Sequence, residues 1–204
     1  MRYNIAVSGV GGLGILTLGR LFCRAAIFAR KNAIMSEVHG LAQRYGAVFV
    51  HVRISDGELL APTIPQGRAD LLVALEPVEG LRITNVVGPR TTVIMNANMI
   101  PPPTVSIGVE KYPSLDSIVD GLSAKARKVY VYNALSIAEK YGDPRLQNTV
   151  LLGMASELPE MPIPSGAFVE ALKQEFGRRP KVLEMNLRAF EEGKKIMSRL
   201  ISTT

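Results

Sequence analysis

The stretch Tyr3-Asn4-Ile5-Ala6-Val7-Ser8-Gly9-Val10-Gly11-Gly12-Leu13-Gly14-Ile15-Leu16-Thr17-Leu18 decides the fold. Tyr3–Ser8 is short and apolar, which suits a buried strand. It runs into four glycines, Gly9, Gly11, Gly12 and Gly14, in the pattern G-x-G-x-x-G. Beyond them Ile15, Leu18, Phe22, Ala25, Ala26 and Ala29 recur at helical spacing, with Thr17, Arg20 and Arg24 off that stripe. The reading is strand, tight turn, helix. A glycine turn at a helix N-terminus presents unpaired N–H groups and the positive end of the helix dipole. It predicts a phosphate-bearing ligand, and close packing of strand on helix is the other account of the same glycines.

The rest of the chain extends this α/β opening. Ala33–Ser36 reads as a second strand, and Glu37–Tyr45 as a polar loop or short helix. Ala47–Ile54 alternates, with Val48, Val50, Val52 and Ile54 on one side and Phe49, His51 and Arg53 on the other. Ser55-Asp56-Gly57-Glu58 is a turn signal, so Leu59–Ile64 is expected to return as the partner strand of a hairpin. Ala69–Leu75 is a continuous apolar run, as in a strand buried on both faces of a parallel sheet. Helices are expected over Val78–Val87, Leu115–Ala124, Ala134–Tyr141, Gly166–Phe176 and Val182–Ile201. Strands are expected over Thr91–Asn96 and Lys128–Tyr132. The fold class is α/β: a Rossmann-like, mostly parallel sheet with helices on both faces, a β-hairpin insertion and a helical C-terminal third. One domain over residues 1–204 is the expected organisation.

Composition narrows the function. The 204 residues are 47% hydrophobic and 21% charged, in the range of globular chains. No apolar run is long enough to span a bilayer, and the N-terminus does not read as a signal peptide, so a cytoplasmic location and no membrane partner are expected. The net charge is +6, but basic residues are spread along the chain, aromatics make up 6% and tryptophan is absent. A stacking platform for nucleic acid is therefore not expected. With one cysteine, Cys23, the chain cannot supply the four thiolates of a 4Fe–4S cluster. With two histidines besides, it makes a poor zinc site. Cys23 itself reads as a buried, inert thiol.

Several residues could carry chemistry. A dinucleotide site needs an acid about 20 residues beyond the glycines. Glu37 lies near that place, and bracing the loop is its other reading. Gln43 and Arg44 could grip a phosphate or a partner carboxylate. His39 is a possible acid or base without a visible partner. The Phe49, His51 and Arg53 face fits either a subunit contact or a sheet face covered within the chain. No nucleophile elbow, zinc-protease motif or phosphate-loop lysine is present.

The run Ser36–Arg53, SEVHGLAQRYGAVFVHVR, together with the glycine turn, Ala69–Pro77 ending in Glu76-Pro77, Asn133–Gly153 and Leu183–Phe190, resembles a known family. It is similar to the small subunits and gamma domains of 2-oxoacid:ferredoxin oxidoreductases, the indolepyruvate type above all. Tyr45 departs from that family's pattern, in which a glycine usually stands there. The resemblance implies no catalytic residue on this chain. It implies a large partner subunit holding thiamine diphosphate and 4Fe–4S clusters, with ferredoxin reduced through the complex. Coenzyme A is expected at the glycine-rich turn, with Gly9, Gly11, Gly12, Gly14, Glu37, Gln43 and Arg44 as the cofactor-facing residues. A free-standing NAD(P)-dependent dehydrogenase and a non-enzymatic nucleotide-sensing module are the alternatives.

Overall fold

A computed structural model describes residues 1–39, 46–58 and 61–203. Strand β1 (Arg2–Val10) is followed by helix α1 (Ile15–Phe28), then by strands β2 (Asn32–His39) and β3 (Ala47–Ser55). Strand β4 (Leu71–Ala74), helix α2 (Pro77–Arg82) and strand β5 (Thr92–Asn96) come next. Helices α3 (Pro103–Ser106) and α4 (Leu115–Ser123) lead to strand β6 (Lys128–Tyr132). The chain ends in helices α5 (Ala134–Lys140), α6 (Gln147–Ser156), α7 (Ser165–Phe176) and α8 (Pro180–Ser202), with a 3-10 turn at Pro144–Leu146.

The six strands form one sheet in the order β2-β3-β1-β4-β5-β6. β1, β4, β5 and β6 run parallel, while β3 lies antiparallel to both β1 and β2. Parallel strands must be buried on both faces, and β4 and β5 are buried throughout. On one face Phe22, Phe168 and Phe190 pack in a row, with centroid separations of 5.9 and 6.1 Å, among the side chains of α1 and α5–α8. On the other face Leu72 and Val93 meet Ile118 and Leu122 of α4. The expected α/β sheet with helices on both faces and a helical last third is what the chain forms.

Three expectations are corrected. The hairpin lies one strand earlier than read: β3 pairs with β2, and residues 61–64 form no strand, while Leu59 and Leu60 lie outside the described residues. Residues 61–64 cross the polar side of β3 instead. His51 Nδ1 accepts from Ile64 N at 3.0 Å, and Arg53 donates to the Ala61 carbonyl at 2.7 Å. Phe49, His51 and Arg53 thus belong to a sheet face covered within the chain. Second, β2 continues through Glu37 to His39, so Glu37 is a strand residue rather than part of a loop. Third, α2 stops at Arg82, where Ile83–Val86 tightens into turns.

Candidate functional site

β1 ends in the middle of the sheet, where the chain order reverses between β3 and β4, and ligands of open α/β sheets collect at such carboxyl ends. The glycine turn sits there. Gly14, with φ +79°, is the N-cap of α1, and no side chain caps that end. The first intrahelical bond runs from Leu18 N to Gly14 O at 3.0 Å, so the N–H groups of Ile15, Leu16 and Thr17 have no acceptor in the helix. Gly12 takes φ +103°, and a side chain there would point into open space.

One wall of this site comes from the far end of the chain. Asp143 and Arg145 approach from the turn before α6 and Asn148 and Thr149 from α6 itself, with Phe176 from α7, Arg179 from the N-cap of α8 and Asn186 from α8. With Gly12–Gly14 and Thr17 they enclose a cavity of about 180 Å³. The N-terminus of α6 is fixed to the sheet by Asn96, whose Nδ2 donates to Gln147 Oε1 at 2.8 Å and whose Oδ1 accepts from Ala134 N at 3.1 Å. The next residue, Asn148, donates from Nδ2 to the Leu13 carbonyl at 2.5 Å. Its Oδ1 is buried without a partner among the described residues, which leaves one acceptor for a donor group of a ligand.

The charge in the cavity is basic. Arg145 forks onto Asp143, Nε to Oδ1 at 2.9 Å and Nη2 to Oδ2 at 2.7 Å, and this pairing holds the Asp143 carboxyl below its ordinary range. Arg179 is exposed, stacks at 6.0 Å over Phe176 and has no acidic partner among the described residues. Helix N-terminus, hydroxyl of Thr17 and two guanidiniums together suit a phosphate. They do not form a nucleophile–base pair. Cys23 is half-buried away from this cavity, and burial pushes its thiol up to about 11, which makes it a poor nucleophile.

The sequence-derived residues divide accordingly. Gly12 and Gly14 border the cavity. Gly11 ties the turn to the start of β3, its N–H donating to Gly46 O at 2.9 Å. Gly9 is a packing residue, since a Cβ there would touch Leu75 and Ile15 at 3.1 and 3.2 Å. Glu37 is exposed on β2, with β3 standing between its strand and β1. A ribose-binding acid uses the strand next to β1, so the dinucleotide reading of Glu37 loses its geometry. Gln43 and Arg44, with Tyr45, lie outside the described residues, as does the side chain of His39. Asn148 falls in the Asn133–Gly153 run that carries the family resemblance, but pattern reading assigns it no site role. A lone asparagine carries no signal until the fold brings α6 against the glycine turn.

Residues 4–196 match the pyruvate ferredoxin/flavodoxin oxidoreductase family. The chain belongs to this family. Within it, the chain is 42% identical over 193 residues to the indolepyruvate oxidoreductase subunit IorB of Archaeoglobus fulgidus, covering 95% of this chain and 94% of that one. It is 38% identical over 193 residues to the subunit of the same name from Methanothermobacter thermautotrophicus, covering 95% and 96%. The 2-oxoglutarate:ferredoxin oxidoreductase from Magnetococcus marinus, solved with 2-oxoglutarate, coenzyme A and succinyl-CoA bound, shares the fold. Its TM-score is 0.74 at 23% identity over 97% of this chain and 31% of that one. The two indolepyruvate relatives are oxidoreductase subunits, and they lend no support to the dehydrogenase or sensing-module alternatives. Among the described residues no helix is long and apolar enough to cross a membrane.

Proposed function

We propose that the chain is the small subunit of an indolepyruvate-type 2-oxoacid:ferredoxin oxidoreductase and works in the cytoplasm as a single domain. Its large partner subunit supplies thiamine diphosphate for the decarboxylation and 4Fe–4S clusters for the electrons passed to ferredoxin. The observation that carries this reading is 34–42% identity to four indolepyruvate oxidoreductase subunits over nearly their whole length. The single cysteine agrees with it, because four thiolates per cluster must come from elsewhere.

In this reading the residues of this chain bind and orient coenzyme A. The N–H groups at the start of α1, Arg145 and Arg179 hold its phosphates, and Asn148 Oδ1 accepts from one of its N–H groups. Gly9 and Gly11 shape the turn, Glu37 braces β2, and Gln43 and Arg44 line the entrance or the contact with the large subunit. The overall reaction takes an arylpyruvate and coenzyme A to an aryl-acetyl-CoA and carbon dioxide, with two electrons going to ferredoxin.

Co-expression with the large subunit and viologen reduction test the proposal. Indolepyruvate should be turned over in preference to pyruvate and 2-oxoglutarate, and Arg145→Ala with Arg179→Ala should raise the KM for coenzyme A by about tenfold or more. A complex that prefers pyruvate overturns the substrate assignment. An unchanged KM overturns the coenzyme A assignment.

A further inference from the structure

A second basic cleft lies at the opposite end of the sheet, where the parallel strands begin. Four guanidiniums border it, from four separate segments: Arg2 at the start of β1, Arg53 near the end of β3, Arg68 ahead of β4 and Arg90 ahead of β5. Its volume is about 530 Å³, within the range of small-molecule sites.

The cleft is built around a buried side chain. Asn4, 7% exposed, donates from Nδ2 to the Arg68 carbonyl at 2.8 Å and accepts from Arg53 Nε at 3.0 Å. Its own N–H donates to Asp70 Oδ2 at 2.8 Å. Arg53 is held from its other side by the Ala61 carbonyl. The loops bearing Arg68 and Arg90 are also locked together, with Gly67 N bonded to Asn85 O and Ala69 N to Val86 O, both at 2.9 Å. The Arg53 side chain and the Arg68 backbone are therefore held by Asn4, while the side chains of Arg2, Arg68 and Arg90 are exposed around it.

The charge is not balanced within the fold. Arg90 Nη2 approaches Asp70 Oδ1 at 3.6 Å, and Arg2, Arg53 and Arg68 have no carboxylate partner among the described residues. Like charges gathered on one cleft repel, and an anion between them removes that cost. Guanidiniums converging from several directions match the spread oxygens of phosphate better than a single carboxylate. We propose that this cleft binds a small phosphate-bearing ligand, separately from the glycine-turn site and at the other end of the strands.

The test is isothermal titration of the full chain with inorganic pyrophosphate, in an Arg145→Ala/Arg179→Ala background that silences the glycine-turn cavity. Saturable binding at one site is expected, weakened at least about tenfold by Arg68→Ala and again by Arg90→Ala. Circular dichroism of each variant checks that the fold is kept, and Gln66→Ala, on the same loop outside the cleft, should bind like the parent. Absence of binding overturns the proposal, as does binding indifferent to Arg68 and Arg90. Tighter binding of a glutamate decapeptide than of pyrophosphate would overturn it in favour of an acidic protein partner.

Discussion

Gly153 on α6 and Gly193 on α8 stand opposite each other where the two helices cross: a methyl group on Gly153 would lie 3.1 Å from the Gly193 Cα and collide with the Phe190 carbonyl oxygen. The converse methyl on Gly193 would collide with the Val150 carbonyl. The helices can meet backbone to backbone only because neither carries a side chain there. All ten residues of α6 are buried, so α8 is the lid that closes over it.

Gly193→Ala should therefore destabilise the chain by about 1–3 kcal/mol, as overpacking does. Urea denaturation followed by circular dichroism measures it. Because α6 carries Asn148 to the glycine turn, coenzyme A affinity in the assembled complex should fall with it. A variant as stable as the parent would show that the crossing has slack.

Asn148→Ala tests the contact between α6 and the turn more directly. It removes the bond to the Leu13 carbonyl, worth about 1 kcal/mol. It also removes the buried Oδ1 acceptor. The expected result is a modest loss of stability and a several-fold weaker binding of coenzyme A. Asn148→Asp keeps an acceptor but sets a carboxylate against the Leu13 carbonyl, and should bind still more weakly. Equal affinity in all three proteins would remove Asn148 from the site.

How much of this was readable beforehand follows from which residues signal alone. The opening strand, turn and first helix are local, so period and glycine spacing suffice for them. The alternation in Ala47–Ile54 placed β3 but not its partner. Pairing depends on which edge is free, and β1 and β2 occupy both edges of β3, leaving none for residues 61–64. α6 had no stripe to read because a helix buried all round is apolar and small on every side. The site followed the same rule: Gly12 and Gly14 are local signals, whereas Arg145, Asn148 and Arg179 meet them only through the fold.

His51 gives a pH-dependent prediction. Its Nδ1 accepts from Ile64 N, so the ring is neutral with its proton on Nε2, and burial lowers its pKa below the ordinary histidine value. The unfolded chain then takes up a proton near pH 6.5 that the folded chain refuses. This contribution to stability is present above that pH and is lost as pH falls through the folded value. His51→Gln keeps a possible acceptor and cannot titrate. Its unfolding free energy should fall less than the parent's between pH 7 and pH 5. Parallel slopes would mean that His51 does not govern this range.

Glu76 offers the last prediction, at the carboxyl end of β4. Its side chain is buried and accepts from Glu79 N at 2.9 Å, capping α2, from Ile100 N at 3.3 Å, and from the Tyr112 hydroxyl. One carboxylate thus joins α2 to the segments after β5 and before α4. Glu76→Gln replaces one acceptor oxygen with a donor that faces donors, and should cost about 1–3 kcal/mol. Tyr112→Phe removes one donor and should cost less. The double variant should fall short of the sum by more than about 0.5 kcal/mol, since the two act on one bond. A second readout separates charge from packing. Burial first, and then the Glu76 carboxylate, raise the Tyr112 pKa above its ordinary value. The unfolded chain sheds that proton near pH 10 while the folded chain keeps it, so this contribution fades as pH rises beyond about 10. In Glu76→Gln the Tyr112 resonance should titrate at lower pH than in the parent, yet still above an exposed tyrosine, because burial remains. A resonance that titrates as in the parent would show that the Glu76 side chain does not set the Tyr112 pKa.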